Sequence, residues 1–192
     1  MNILNYEPDD KIVRVQFKTM QAPEAIPEFG IQRENEERRD GGCGIVFDPA
    51  TQRYAVGKHV ADGILRLFSG GVDTGEDIKE GVLREVREES GLHDFLYVEK
   101  IGEAMAHYYN ALRKVNRVGH ATSFLIILKS IDVIPTQLEE HEQFILTWAT
   151  PKELLENWET HGRGADHWIY FLEKSVARAI ELGYDTTSEL GH

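Results

Sequence analysis

"GGVDTGEDIKEGVLREVREESGL", residues 70–92, carries seven acidic side chains (Asp73, Glu76, Asp77, Glu80, Glu85, Glu88 and Glu89) within 23 residues. Like charges at that density repel one another unless something positive neutralises them. Thr74 is a candidate N-cap with Asp77 three residues on, and Gly91 is a candidate C′ residue; strong helix formers such as Leu83, Arg84, Glu85 and Glu88 lie between them. The stretch predicts a loop and then a helix over about 77–90. At helical pitch, Ile78, Val82, Leu83 and Val86 form one apolar stripe, and Glu85, Glu88 and Glu89 gather at its margin. Gly81 lies one turn before Glu85 on the same side. A glycine inside a helix costs about 1 kcal/mol relative to alanine, so its place beside the acids suggests that something approaches closely there, such as a metal and its ligand.

Three carboxylates on one helix face suit a hard divalent cation, Mg²⁺ or Mn²⁺, and offer zinc no soft ligand. Such an ion bridges phosphate oxygens, offsets the negative charge of the protein and acidifies a water molecule. Arg84, four residues before Glu88, can pair with that carboxylate and fix its rotamer. A solvated acidic helix is the competing reading, and composition alone favours it.

The rest of the chain narrows the setting. Its 192 residues, 41% hydrophobic, suffice for one domain with a sizeable core. A formal net charge of -12 disfavours binding to DNA or to an anionic membrane, which depends on clustered Lys and Arg. The single cysteine, Cys43, rules out an intramolecular disulfide and fits a reducing cytosol; the acidic opening "MNILNYEPDD" lacks the features of a signal peptide. A cytoplasmic location is expected.

Alternation in "KIVRVQFK" (11–18) predicts a half-buried strand, and the polar "QRENEERRD" (32–40) reads as a loop. "GCGIVFD" and "RYAVGKHV" read as strands joined by a turn at "DPATQ", and "ILRLF" as a short third strand. "FLYVEKIGEAMAHYY" (95–109) reads as two strands or one bent one, followed by strands in "TSFLIILKS" and "QFILTWAT". Two helices follow: "PKELLENW" starts on Pro151, and "DHWIYFLEKSVARAIEL" carries a core stripe of Trp168, Phe171, Leu172, Val176 and Ile180. The class implied is α/β, a mixed β-sheet covered by helices. The expected organisation is one domain over 1–192, with an N-terminal extension (1–36), a core (about 40–160) and a C-terminal helical part (161–192).

Gly70, five residues, Glu76, seven residues, Arg84-Glu85-Val86, one residue, Glu88-Glu89, one residue and Gly91-Leu92 resembles the signature of the Nudix hydrolases at all nine specified positions. The strand order and Trp148 before "ATPKEL" are similar to that family too, over roughly residues 40–160. The resemblance implies an α/β/α sandwich and hydrolysis of a nucleoside diphosphate linked to another moiety. By position it implies Glu85, Glu88 and Glu89 as catalytic metal ligands, the Gly70 carbonyl as a further ligand, and Glu76 with Arg84 as the framework of the box. Ser69 departs from the proline that many relatives carry before the double glycine. The chemistry implied is attack of a metal-activated water on one phosphorus of a pyrophosphate bridge. Many relatives add a glutamate outside the box as the base; "QLEEHEQFILTW" offers Glu139, Glu140 and Glu142, or only a solvated turn.

Substrate identity lies outside the box. Tyr108 and Tyr109 stand where a tyrosine resembles the mark of the dinucleoside polyphosphate group, with no proline of the kind that marks the ADP-ribose group. Either tyrosine can stack on a base, or both can pack on the sheet. Arg113, Lys114 and Arg117 follow, as phosphate contacts or as a charged hairpin tip, and His107 and His120 receive no role. The expected partner is a small-molecule nucleotide, with no DNA or membrane partner and with homodimer formation left open. A non-catalytic Nudix-fold module that senses nucleotides or binds proteins is the alternative; retention of every box carboxylate favours the enzyme.

Overall fold

The computed structural model describes residues 25–72, 75–111, 113–138, 143–161 and 165–186. Eight strands and three helices follow in the order β1 (Glu28–Gly30), β2 (Glu37–Asp48), β3 (Arg53–His59), β4 (Leu65–Arg66), β5 (Phe68–Gly71), α1 (Ile78–Ser90), β6 (Phe95–Asn110), β7 (Val115–Leu128), β8 (Phe144–Ala149), α2 (Pro151–His161) and α3 (Asp166–Glu181). The sheet runs β1-β6-β7-β2-β3-β4, with β5 paired to β2 and β8 to β3. It is mixed: β1 with β6 and β2 with β7 are parallel, and the other pairs are antiparallel.

Period-two alternation divides the apolar residues between two cores. Cys43, Ile45 and Phe47 of β2 and Leu125 and Ile127 of β7 face one way, where they meet Leu154 and Trp158 of α2 and Phe171 and Leu172 of α3. Val46 of β2 and Phe124, Ile126 and Leu128 of β7 face the other way, onto Val82, Leu83 and Val86 of α1. The central strands are thus covered on both sides, which is why "GIVF" and "FLIIL" read as nearly continuous apolar runs. α1 sits close to the sheet because β2 offers glycines beneath it: a Cβ at Gly44 would stand 2.7 Å from Val86 Cγ2 and 2.9 Å from Ile126 Cδ1.

Several sequence expectations are revised. The polar run at 32–40 is not wholly loop, because Glu37 to Asp40 pair in parallel with Arg117 to His120 of β7. Their side chains are polar because this end of β2 is open to solvent and to the cleft described below. Residues 95–109 form one long strand with register shifts at Phe95/Tyr97 and Lys100/Gly102. "ILRLF" divides between β4 and β5, and β5 carries Ser69, Gly70 and Gly71 within a ladder to β2 rather than in a loop. On α3, Ile180 is 45% exposed; the helix contacts the sheet along Phe171, Leu172, Ser175 and Ala179, which leaves Ile180 at the rim. The strand expected at 11–18 lies outside the described residues. No helix among the described residues is long and apolar enough to cross a membrane.

Candidate functional site

α1 begins at Ile78 because Asp77, in extended conformation, accepts hydrogen bonds from Lys79 N at 3.0 Å and Glu80 N at 3.2 Å. Asp77 is therefore the N-cap in place of Thr74, which lies outside the described residues. The helix ends where Gly91 turns left-handed at φ 77° and donates to Arg87 O. These ends fix the rotation of the helix, and Glu85, Glu88 and Glu89 with it.

Arg84 organises the acids. Its Nη1 donates to Glu85 Oε1 and Glu88 Oε2, both at 2.9 Å, and its Nε donates to Glu76 Oε1 at 3.1 Å. Hydrogen bonding to Glu76, joined by the pull of Glu85 and Glu88 against a burial penalty, holds the guanidinium more firmly protonated than an ordinary arginine. The repulsion implicit in the sequence is thus relieved internally. Glu89, buried, accepts from Ser69 N at 3.1 Å and ties the helix to β5. Glu85 lies against Gly70, where any Cβ would land inside its carboxylate. At Gly81 a Cβ would stand 3.0 Å from Glu76 Oε2, so the framework carboxylate is a group that approaches it closely.

Hard oxygen donors, namely the carboxylates of Glu85, Glu88 and Glu89 and the carbonyl of Gly70, form a set that fits Mg²⁺ or Mn²⁺. The side-chain-free Gly70 is the cradle that lets Glu85 lie against β5. Among the described residues no three ligating side chains converge as they stand, because Arg84 holds Glu85 and Glu88. Binding a cation there requires these carboxylates to turn from Arg84.

Beside β5 opens a cleft of about 460 Å³, lined by Gly70 and Gly71, by Arg39 to Cys43 of β2, by Phe29, Tyr108 and His120, and by Trp168 at the start of α3. Tyr108 is 40% exposed within it, its ring 3.5 Å from the position of a Cβ at Gly119. Tyr109 is 53% exposed on the opposite face of β6, so neither tyrosine packs in the core. Arg113 and Lys114 sit at the turn between β6 and β7, away from the cleft residues, whereas Arg117 is buried in β7. His107, which also lines the cleft, bonds Glu36 at 2.8 Å, and His120 bonds Glu103 at 3.0 Å. Cys43 is no nucleophile, since burial pushes its thiol up to about 12. Glu139, Glu140 and Glu142 lie outside the described residues. Phe29 and Arg39 escaped the sequence reading; both sit in short or polar segments without a periodic signal.

An α/β/α sandwich with a carboxylate-bearing helix packed on a glycine strand is the architecture of one class of proteins. Residues 39–169 match the NUDIX domain family, and the chain belongs to it. No curated protein matches the sequence significantly. Among solved structures, the chain is similar to the NUDIX domain of Shewanella oneidensis NrtR complexed with ADP ribose (TM-score 0.54, 13% identity, 74% of this chain and 89% of that one). It is also similar to a NUDIX hydrolase from Nitrosomonas europaea (TM-score 0.53, 16% identity, 81% and 97% covered). A third is a C. elegans Ap4A hydrolase in binary complex (TM-score 0.54, 14% identity, 76% and 99% covered). At these identities the likeness is one of fold.

Proposed function

We propose that this protein is a divalent-metal-dependent hydrolase that cleaves a pyrophosphate bond in a nucleoside diphosphate derivative, dinucleoside polyphosphates and ADP-ribose among them. The observation that carries the reading is the clustering of Glu85 and Glu88 on Arg84, with Glu85 against Gly70, whose backbone also lines a cleft of ligand size. Mg²⁺ or Mn²⁺, when held by Glu85, Glu88, Glu89 and the Gly70 carbonyl, supplies charge neutralisation for the phosphates and acidifies the attacking water.

The chain's own residues do the rest. Glu76 holds Arg84, and Arg84 in turn keeps the Glu85 and Glu88 carboxylates on one side of α1, from which they turn to take up the cation. Water adds to one phosphorus, the bond from that phosphorus to the bridging oxygen breaks, and the second phosphate leaves with that oxygen. The proton lost by the water passes to a carboxylate base, which we assign to the group Glu139, Glu140 and Glu142. Tyr108 is retained as a cleft residue on the substrate side. Tyr109, Arg113 and Lys114 are not brought to the cleft in this arrangement and take no part in the proposal.

The test is a release assay over nucleoside triphosphates, ADP-ribose, dinucleoside polyphosphates and nucleotide sugars, each with Mg²⁺ and with chelator. Cleavage of at least one nucleoside diphosphate derivative, abolished by chelator, is expected. No turnover of any of them in Mg²⁺ or Mn²⁺ leaves the ligand-binding, non-catalytic alternative.

A further inference from the structure

The segment from Glu28 to Glu36, which is β1 and its connection to β2, is fastened to the outer hairpin of the sheet. Pro27 O accepts from Met105 N at 2.8 Å, the three residues of β1 pair in parallel with Met105, Ala106 and His107, and Glu34 O accepts from Asn116 Nδ2 at 2.9 Å. Gly30 permits the close approach, since a Cβ there would collide with His107 O. The segment carries Phe29, which meets Tyr170 of α3 with ring centroids 5.6 Å apart and forms part of the cleft wall.

One side chain of β6 reaches both ends of this segment. The His107 imidazole is 7% exposed; its Nδ1 lies 2.8 Å from Glu36 Oε2 at one end and its Nε2 lies 3.6 Å from Glu28 Oε2 at the other. Burial works against the charge of Glu36, but the bonds from His107 and from Arg33 N hold its carboxyl below the usual range, so it stays an acceptor where imidazoles titrate. The ring therefore donates from Nδ1. In the neutral ring Nε2 is then a bare lone pair, buried, without a hydrogen-bond partner, and facing the oxygen of the Glu28 carboxylate. Two acceptors oppose each other there, and one proton turns the pair into donor and acceptor. Other charged groups stand apart. Among the described residues His107 forms no ion pair with β7, where it pairs with Val118, or with α3, whose His167 lines the same cleft. Arg33 acts on Glu36. His120, opposite Met105, is engaged by Glu103 at 3.0 Å, with Arg38 at 3.4 Å and Asp40 at 3.6 Å.

We propose that His107 is a proton-operated clasp: neutral, it holds Glu36 alone; protonated, it holds Glu36 and Glu28 together and fastens β1, with the Phe29 wall, to β6. The segment is held most firmly on the acid side, where the imidazolium bonds both carboxylates, and loosens as pH rises through the histidine range. Glu28 is 68% exposed, so solvent screens the second contact and the gain is a few-fold. The clasp does not depend on the hydrolase reading, and its test uses neither nucleotide nor metal.

The test is residue-resolved amide exchange of the full chain at about pH 5.5 and about pH 8, corrected for intrinsic rates. It is read at Met105, whose N–H is bonded to Pro27 O, against the amides of Ile45, Val46 and Phe47 in the centre of the sheet. In the wild type the relative protection of Met105 is expected to be about two- to fivefold higher on the acid side. Glu28→Gln is expected to abolish that gain and to leave protection on the alkaline side near wild type, because the contact with Glu36 survives. His107→Asn, whose amide stands in for Nδ1 and takes up no proton, is expected to do the same. Glu28→Gln lies at an exposed side chain and decides the matter on its own if His107→Asn does not fold. Equal protection at both pH values in the wild type, or a gain that survives in Glu28→Gln, overturns the proposal. A gain lost only in His120→Gln assigns the effect to the neighbouring cluster and overturns it as well.

Discussion

Glu88→Gln is expected to lower turnover by two to three orders of magnitude, about 3–4 kcal/mol of transition-state stabilisation, while circular dichroism and melting temperature stay near wild type. The substitution keeps the volume and one oxygen within reach of Arg84, which now donates to Glu88 Oε2 at 2.9 Å, but removes the charge of a proposed cation ligand. Glu88 is a third exposed and its ion pair with Arg84 is screened, so the folded state loses little. Loss confined to kcat marks a residue acting in the chemical step. A melting temperature that falls in parallel with activity would instead make Glu88 a strut of α1. Near wild-type rates at saturating Mg²⁺ would remove it from the ligand set.

Gly70→Ala carries the second large effect, and it separates function from stability in a different way. The new methyl occupies the place of the Glu85 carboxylate, the far end of a flexible side chain, so Glu85 swings aside at low cost while β5 keeps its ladder to β2. Stability is expected to change by less than about 1 kcal/mol, and turnover to fall about a hundredfold, the usual consequence of displacing a catalytic group by an ångström or more. Urea denaturation and steady-state kinetics on the same preparation check both halves. A protein that unfolds readily would show that Gly70 is required for strand packing, and unchanged kinetics would show that Glu85 has no need to lie there.

The box helix was legible in the sequence because its signals are local. The apolar stripe, the glycine stop and the acid spacing all lie within 23 residues, and only the cap differs, expected at Thr74 and found at Asp77. The central strands were legible because burial on both faces makes them continuous apolar runs. What stayed hidden depends on pairing at a distance. β1 has three residues, too few for any period, and it exists because β6 offers it an edge. Arg39 sat in a polar run that reads as loop, and only the parallel pairing of β2 with β7 places it opposite Gly119. The basic run 113–117 looked like one cluster, yet the register sends Arg117 into the sheet and leaves Arg113 and Lys114 at the turn. Gly81 was correctly marked as a point of close approach, and one visitor is Glu76, eight residues from its partner Arg84 and out of reach of any helical wheel.

Everything proposed for the reaction depends on a divalent cation held by the box carboxylates. The most direct measurement is a Mn²⁺ titration followed by electron paramagnetic resonance, with wild type beside Glu85→Gln and Glu88→Gln and no nucleotide present. Saturable binding by the wild type, weakened about tenfold or more in each variant, is the predicted result. Mn²⁺ binding that is equal in all three proteins, or absent from the wild type, would contradict it.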